Sequence, residues 1–272
     1  MSPPYWRKYM IGLSKIKHFY NLFYLRGMSK LSIVIPAYNE EGSIGETLES
    51  LYQALQQAEI DHEIVVVNDN SKDQTLSILE NLQKSIPSLT IYTNPGPNGF
   101  GYAIRYGLER FKGDIVAVMM ADLSDDPQDL IAFYRLMVEK NLDCVFGSRF
   151  IKGGSTHDYP KHKYIINRMA NTIIRMLVGI PYNDSTNAFK MYRKNTIEGL
   201  KPFLSAHFNL TIELPLKAII RGYSYDVLPN SWRNRKAGQS NLKIKEMGSR
   251  YLFILLYILI EKYLSRNDYL KK

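Results

Sequence analysis

The sequence predicts an α/β fold: a Rossmann-like, mostly parallel sheet flanked by helices, with a C-terminal helical extension. Three observations lead there. From Leu31 to Phe150, short apolar runs alternate with amphipathic segments, the signature of strands joined by helical crossovers. The chain has 272 residues, 45% of them hydrophobic and 12% aromatic, which is enough to bury a large core and excludes a disordered chain. The Asp, Glu, Asn and Arg clusters follow the apolar runs directly, where open α/β sheets gather their ligands.

The elements follow in order. LSIVIP, ended by Pro36, reads as a buried strand. Ile44, Leu48, Leu51, Leu55 and Ala58 then recur at helical spacing, with Ser43 available as a cap. HEIVVVND is a second strand and QTLSILENLQKS a second helix; LTIYT is a third strand, and a glycine-rich turn leads into a helix around AIRYGLERF. DIVAVMM, the helix PQDLIAFYRLMVEK and the strand LDCVFGS complete the alternation. Beyond Phe150 the rhythm changes. The loop KGGSTHDYP precedes a long helix with the apolar stripe Ile166, Ala170, Ile173 and Leu177 and, opposite it, Lys163, Asn167 and Asn171. The polar stretch PYNDSTNAFKMYR, a helix near residues 209–221 and the basic loop WRNRKAGQS follow.

The net charge of +9 is concentrated at the ends. Residues 1–30 carry +6 with no acid, residues 233–272 carry ten Lys/Arg against three acids, and the body between them is acidic. Both basic ends are rich in Tyr, Phe, Leu and Ile, which favours an anionic membrane surface. No helix-turn-helix, zinc or aromatic RNA-binding signature accompanies the charge, so nucleic acid is not the expected partner. The longest apolar run, YLFILLYILI at Tyr251–Ile260, is too short for a bilayer span and reads as a buried or interface-lying helix. The single cysteine, Cys144, excludes a disulfide framework and a thiolate cluster, in keeping with a cytoplasmic protein. Three segments are expected: a basic amphipathic stretch over 1–30, a catalytic domain over 31–240 and a membrane-associating helix over 241–272. The N-terminus lacks a signal-peptide pattern, and Met28, immediately before the first strand, is an alternative start.

Four strand ends carry the chemistry: PAYNEE, NDNSKD, MADLSDD and GSR. IVIPAYNEEGSI, EIVVVNDNSKDQT and MADLSDDP, in this order, resemble the family-2 inverting glycosyltransferases of the GT-A fold. GSRFIKGG, KYIINRMAN, NDSTNAFKMYR and WRNRKAGQS further resemble the branch that includes dolichyl-phosphate mannosyltransferases and polyprenyl-phosphate glycosyltransferases. The resemblance spans about residues 31–242.

It implies transfer of a sugar, with inversion, from a GDP- or UDP-linked donor to a polyprenyl or dolichyl phosphate. Pro36, Tyr38, Glu40 and Asp69 would hold the nucleoside, and Arg233 and Arg235 would close on its phosphates. Asp122, with Ser124, would hold Mg²⁺ or Mn²⁺; hard cations take carboxylate and diphosphate oxygens. The sequence departs from the family's DxD pattern here, because Met120 stands where the first aspartate is usual. Arg149, Lys163 and Asn167 map to the acceptor-phosphate positions, though the family usually has Arg and Ser at the last two. Asp184 would orient the sugar or act as a base. A phosphate monoester is already an anionic nucleophile at neutral pH, so no Ser-His-Asp constellation is required. The expected place is the inner face of the membrane, as a peripheral protein with a possible second copy or membrane partner. The alternative is a catalytically weak GT-A domain serving as a membrane- or partner-binding module, which Met120 keeps open.

Overall fold

The computed structural model describes residues 29–234 and 244–271. Strands β1 (Leu31–Ala37), β2 (His62–Asn68), β3 (Leu89–Thr93), β4 (Ile115–Val118) and β5 (Cys144–Ser148) fall on the predicted apolar runs. Between them lie α1 (Ile44–Gln57), α2 (Thr75–Leu82), α3 (Phe100–Leu108) and α4 (Pro127–Lys140). Both sheet faces are covered, which is why these strands are apolar at successive positions rather than alternate ones. Ile33, Ile35, Ile64 and Val66 pack with α1 and α4 on one face. Val34, Val65 and Val67 pack with α3 on the other. Gly107 makes that second packing possible, since a Cβ there would lie 2.5 Å from Val34 Cγ1.

The second half of the sheet departs from simple alternation. The polar stretch after Val178 ends in a strand, β7 (Lys190–Arg193), that inserts antiparallel between β4 and β5. With β8 (Tyr225–Pro229) beside β5, the seven-stranded order is β3-β2-β1-β4-β7-β5-β8. Because β7 runs in reverse, its first residue, Lys190, pairs with Val118 and Phe146. The loop ahead of β7 therefore lies at the carboxyl edge of β4 and β5. The basic loop also contains a strand: β9 (Ser231–Arg233) pairs in parallel with β6 (Ser155–His157) in a separate ribbon.

Helix α5 (Lys161–Val178) places Asn171, Ile174 and Val178 inside. Its apolar stripe faces outward, with Ile166, Ile173 and Leu177 between 45% and 49% exposed and Met176 76% exposed. The remaining helices are α6 (Lys194–Gly199), α7 (Leu210–Ile220), α8 (Ile244–Leu264) and α9 (Arg266–Tyr269). Helix α8 packs against α7 and α5 and buries Ile254, Leu255 and Ile258, while Leu252, Phe253, Leu256 and Ile260 remain exposed. A buried bidentate pair secures it: Arg221 Nε and Nη2 donate to Glu261 Oε1 and Oε2 at 2.6 and 2.8 Å. Farther along, Lys271 donates from Nζ to Asp143 Oδ2 at 2.6 Å and from its backbone N–H to the Arg221 carbonyl at 2.8 Å. Among the described residues no helix is long and apolar enough to cross a membrane.

Candidate active site

The candidate residues gather at one edge of the sheet. The first group surrounds the carboxyl ends of β1 and β2. Pro36 is the buried penultimate residue of β1, and Tyr38 is half-buried just beyond it. The Glu40 backbone N–H donates to Thr75 Oγ1 at 2.8 Å, and its side chain accepts from Ser43 Oγ at 3.2 Å. Asp69 follows β2 and is buried, with its two oxygens accepting from Asn94 Nδ2 and the Gly99 backbone N–H, each at 2.7 Å. Burial pushes the Asp69 carboxyl above its ordinary range, against these two bonds. The glycine-rich turn ahead of α3 is thereby pinned to the end of β2. Asn39 and Asn70 adopt positive φ of 54° and 60°, a left-handed conformation that asparagine tolerates better than most residues.

The second group is the acidic loop after β4. Asp122, Ser124 and Asp125 are all buried. Asp122 Oδ1 accepts from the Ser124 N–H at 3.2 Å, and Asp125 Oδ2 accepts from the Met120 N–H at 3.0 Å. Leu123 between them has φ of 60°, so the loop carries backbone strain that its bonds must hold. Helix α1 supports it from below. Ser43, predicted as a cap, makes no side-chain cap bond. Instead Ser43 Oγ and Thr47 Oγ1 both donate to the Ala121 carbonyl at 3.0 Å. Burial pushes the Asp125 carboxyl up to about 7, and the neighbouring Asp122 adds to that rise. The Ser124 hydroxyl is buried without a hydrogen-bond partner. Strand β9 crosses this loop: the Arg233 N–H donates to the Ser124 carbonyl at 3.1 Å, and Trp232 bridges to Asp125. Arg233 is exposed and borders the acidic loop through its backbone; Arg235 lies outside the described residues.

The third group joins the end of β5 to the loop before β7. Arg149 Nε and Nη2 donate to Asp184 Oδ2 and Oδ1 at 2.9 and 2.7 Å, and the Arg149 N–H adds a bond of 3.0 Å. Both residues are buried. Burial opposes the Arg149 charge, but the Asp184 carboxylate outweighs it and raises the guanidinium's pKa. Aromatic rings enclose the pair, with the Arg149 guanidinium 5.1 Å from the Phe150 ring and 5.9 Å from Tyr159. Asn167 and Asn171 on α5 face inward, and each donates to Thr186 Oγ1, at 2.9 and 2.8 Å. Lys163, one turn earlier, is half-buried on the same stripe. Through Thr186 the two amides grip the loop that carries Asp184.

Residue spacing alone did not single out Lys190, Thr186 or Asn94. Lys190 had one available signal: it is a charge inside a short apolar run, AFKMY, that follows a polar turn.

The family model for glycosyl transferase family 2 matches residues 32–200, more than half of the chain. The chain belongs to glycosyl transferase family 2. Among its family relatives, dolichol-phosphate mannosyltransferase of Pyrococcus furiosus is 29% identical over 221 residues, which is 79% of this chain and 60% of the relative. Polyprenol monophosphomannose synthase of Mycolicibacterium smegmatis is 27% identical over 226 residues, which is 80% of this chain and 83% of the relative. The chain thus spans less than two thirds of the Pyrococcus protein. Glucosyl-3-phosphoglycerate synthase from Mycobacterium tuberculosis in complex with UDP superposes with a TM-score of 0.64 at 17% identity, covering 92% of this chain and 84% of that one. The same enzyme with Mn²⁺, UDP and phosphoglyceric acid gives 0.63 at 18% identity, covering 92% and 82%. The fold is the GT-A fold of these glycosyltransferases.

Proposed function

We propose that this family-2 member transfers a hexose, with inversion, from a nucleoside-diphosphate sugar to a polyprenyl monophosphate at a membrane surface. One observation carries the reading. The acidic loop, crossed by Arg233, and the Arg149–Asp184 pair, gripped by the amide face of α5, share one sheet edge. The outer side of α5 is apolar, and α8, which packs against α5, also exposes large apolar side chains. The names of the Pyrococcus and Mycolicibacterium relatives support mannose as the sugar and a polyprenyl phosphate as its acceptor.

Each group has a task in this reaction. The ends of β1 and β2, with Pro36, Tyr38, Glu40 and Asp69, hold the nucleoside. Asp122 and Ser124 would hold Mg²⁺ or Mn²⁺, and the unpartnered buried Ser124 hydroxyl fits that task. Such a cation supplies positive charge to the departing diphosphate. Among the described residues no three His, Cys, Asp or Glu side chains form a closed metal site, so diphosphate oxygens and water would complete its shell. Arg233 adds charge on the diphosphate side. Arg149, Lys163 and Asn167 receive the acceptor phosphate, and Asp184 holds Arg149 and faces the sugar. Asp184 engages the Nε and one Nη2 donor of Arg149 and so fixes the orientation of its fork, which makes Lys163, on its flexible stem, the more adaptable cation for an incoming phosphate.

The exposed face of α5 and α8 supports seating on an anionic leaflet, where a polyprenyl phosphate resides. Ile165, Ile166, Met169, Ile173, Leu252 and Leu256 offer large apolar side chains, and Lys161, Lys163 and Arg175 lie on the same helix as the first four. The experiment is transfer from radiolabelled GDP-mannose, UDP-glucose and related donors to farnesyl or longer polyprenyl phosphate, with and without Mn²⁺. A labelled prenyl-phosphate sugar formed only with a divalent cation is expected. No glycolipid from any donor would overturn the reading.

A further inference from the structure

One buried lysine lies outside the groups assigned to the reaction just described. Lys190 opens β7, its residue 2% exposed, between β4 and β5 in the interior of the sheet. A lysine there is costly unless every N–H of its ammonium is bonded. Three carbonyls receive it: Ser185 and Thr211, each at 3.1 Å, and Asn187. Two of them belong to the loop that carries Asp184. That loop turns tightly, the Asn187 N–H donating to the Asp184 carbonyl at 3.0 Å. Such a turn leaves carbonyls pointing inward, away from water, and they need an internal donor.

The third carbonyl is available for a separate reason. Helix α7 contains Pro215. In a regular helix the Thr211 carbonyl would accept from the N–H of residue 215, and proline has none. Lys190 Nζ stands in for that missing donor. The ammonium therefore joins a carbonyl freed by a proline in one element to two carbonyls of the Asp184 turn in another.

We propose that Lys190 is a positioning residue for the transfer reaction: bonded to the carbonyl that Pro215 frees, it fixes the Asp184 turn and through it the Arg149–Asp184 pair. It touches neither substrate nor cation. The catalytic half of this inference rests on the glycosyltransferase reading above; the structural half does not.

The test compares Lys190→Met, Lys190→Arg, Pro215→Ala and the double variant Lys190→Met/Pro215→Ala in the full chain. Pro215→Ala gives Thr211 a helical N–H, so Lys190→Met is expected to lower Tm about half as much in that background as in wild type. In Lys190→Met the Arg149 and Asn187 amides, which both bond to Asp184, are expected to exchange with solvent at least about ten times faster. The amides of the acidic loop, residues 122–125, keep their protection. Misplacing a reacting group by about 1 Å can cost 10²-fold, so kcat is expected to fall by about that factor. Binding of GDP or UDP with Mn²⁺ stays within about threefold, and Lys190→Arg recovers most of the rate by retaining donors for the carbonyls.

Equal Tm losses in both backgrounds, together with unchanged exchange at Arg149 and Asn187, would overturn the inference. Loss of kcat matched by an equal loss of nucleotide affinity would reduce Lys190 to a general stabiliser and overturn its positioning role. If Lys190→Met does not fold, Lys190→Gln, which keeps a donor, carries the same comparison. A wild-type protein that transfers no sugar would refute the function while the exchange and Tm measurements still judge Lys190.

Discussion

Arg149 and Asp184 form a buried bidentate pair between the end of β5 and the loop before β7, with a third bond from the Arg149 backbone. Two protein segments that are far apart in sequence thus meet through one planar fork. Removing one partner of such a pair leaves an uncompensated buried charge, at a cost of about 3–5 kcal/mol. Asp184→Ala is expected to lose about that much by urea denaturation. Arg149→Lys, which keeps the charge but loses the fork, should lose less stability and still lose most of the transfer rate.

The acidic loop predicts a metal dependence centred on one carboxylate. Asp122→Asn is expected to lower turnover at least about 10²-fold, as removal of an electrostatic transition-state contact does, with the thermal transition kept. Met120→Asp supplies the carboxylate usual in the family's DxD pattern and is expected to tighten Mn²⁺ binding measured by calorimetry with UDP or GDP present. A fully active Asp122→Ala enzyme would remove this loop from the metal's path.

The outward stripe of α5 predicts where lipid contact is lost. Ile166→Ser combined with Ile173→Ser is expected to reduce flotation with anionic liposomes while far-UV circular dichroism stays unchanged, since both side chains face solvent. Deleting residues 246–272 would not isolate lipid contact. It would strip Ile254, Leu255 and Ile258 from the core and leave the buried Arg221 without Glu261. Truncation is therefore expected to give an unstable protein, readable as a lowered Tm with no vesicles present.

Asp143 predicts a pH dependence. Burial alone would raise its pKa, but bonds from Lys271 and Ser224 override burial and hold the carboxyl below its ordinary value. A depressed carboxylate contributes stability above its unfolded pKa of about 4, and that contribution disappears as pH falls through the lower folded value. The Tm difference between wild type and Asp143→Asn is therefore expected to be constant from pH 7 to 5 and to shrink progressively as pH falls below about 4. A difference unchanged at pH 3 would exclude the charge as its source.

The first half of the fold was legible because β1, β2, β4 and β5 are apolar at consecutive positions and each is followed by a polar cluster at its carboxyl end. The second half was less so, for physical reasons. β7 is four residues long and opens on a lysine, so its hydropathy is that of a loop. β9 is shorter still and basic. On α5, spacing correctly separates the stripe of Ile166, Ile173 and Leu177 from that of Lys163, Asn167 and Asn171, but periodicity cannot say which stripe faces the protein. The inward choice was made by Thr186, on a distant loop whose hydroxyl accepts from both amides. Asp122, Asp184 and Arg149 were nameable from motifs, whereas the Arg149–Asp184 pairing required the reversal of β7.

That reversal has a kinetic consequence. β1 pairs with β2, and β2 with β3, across single crossovers, so this part of the sheet can assemble from local units as the chain emerges. β5 cannot join them directly, because its way to β4 is through β7, more than forty residues later. Long-range pairing of this kind is slow relative to local pairing. Refolding should pass through a stage in which the nucleoside end is formed and the acceptor end is not. The two substrates of one active site would thus gain their binding places at different times, and pulse-labelled amides of β2 and β5 would record the interval.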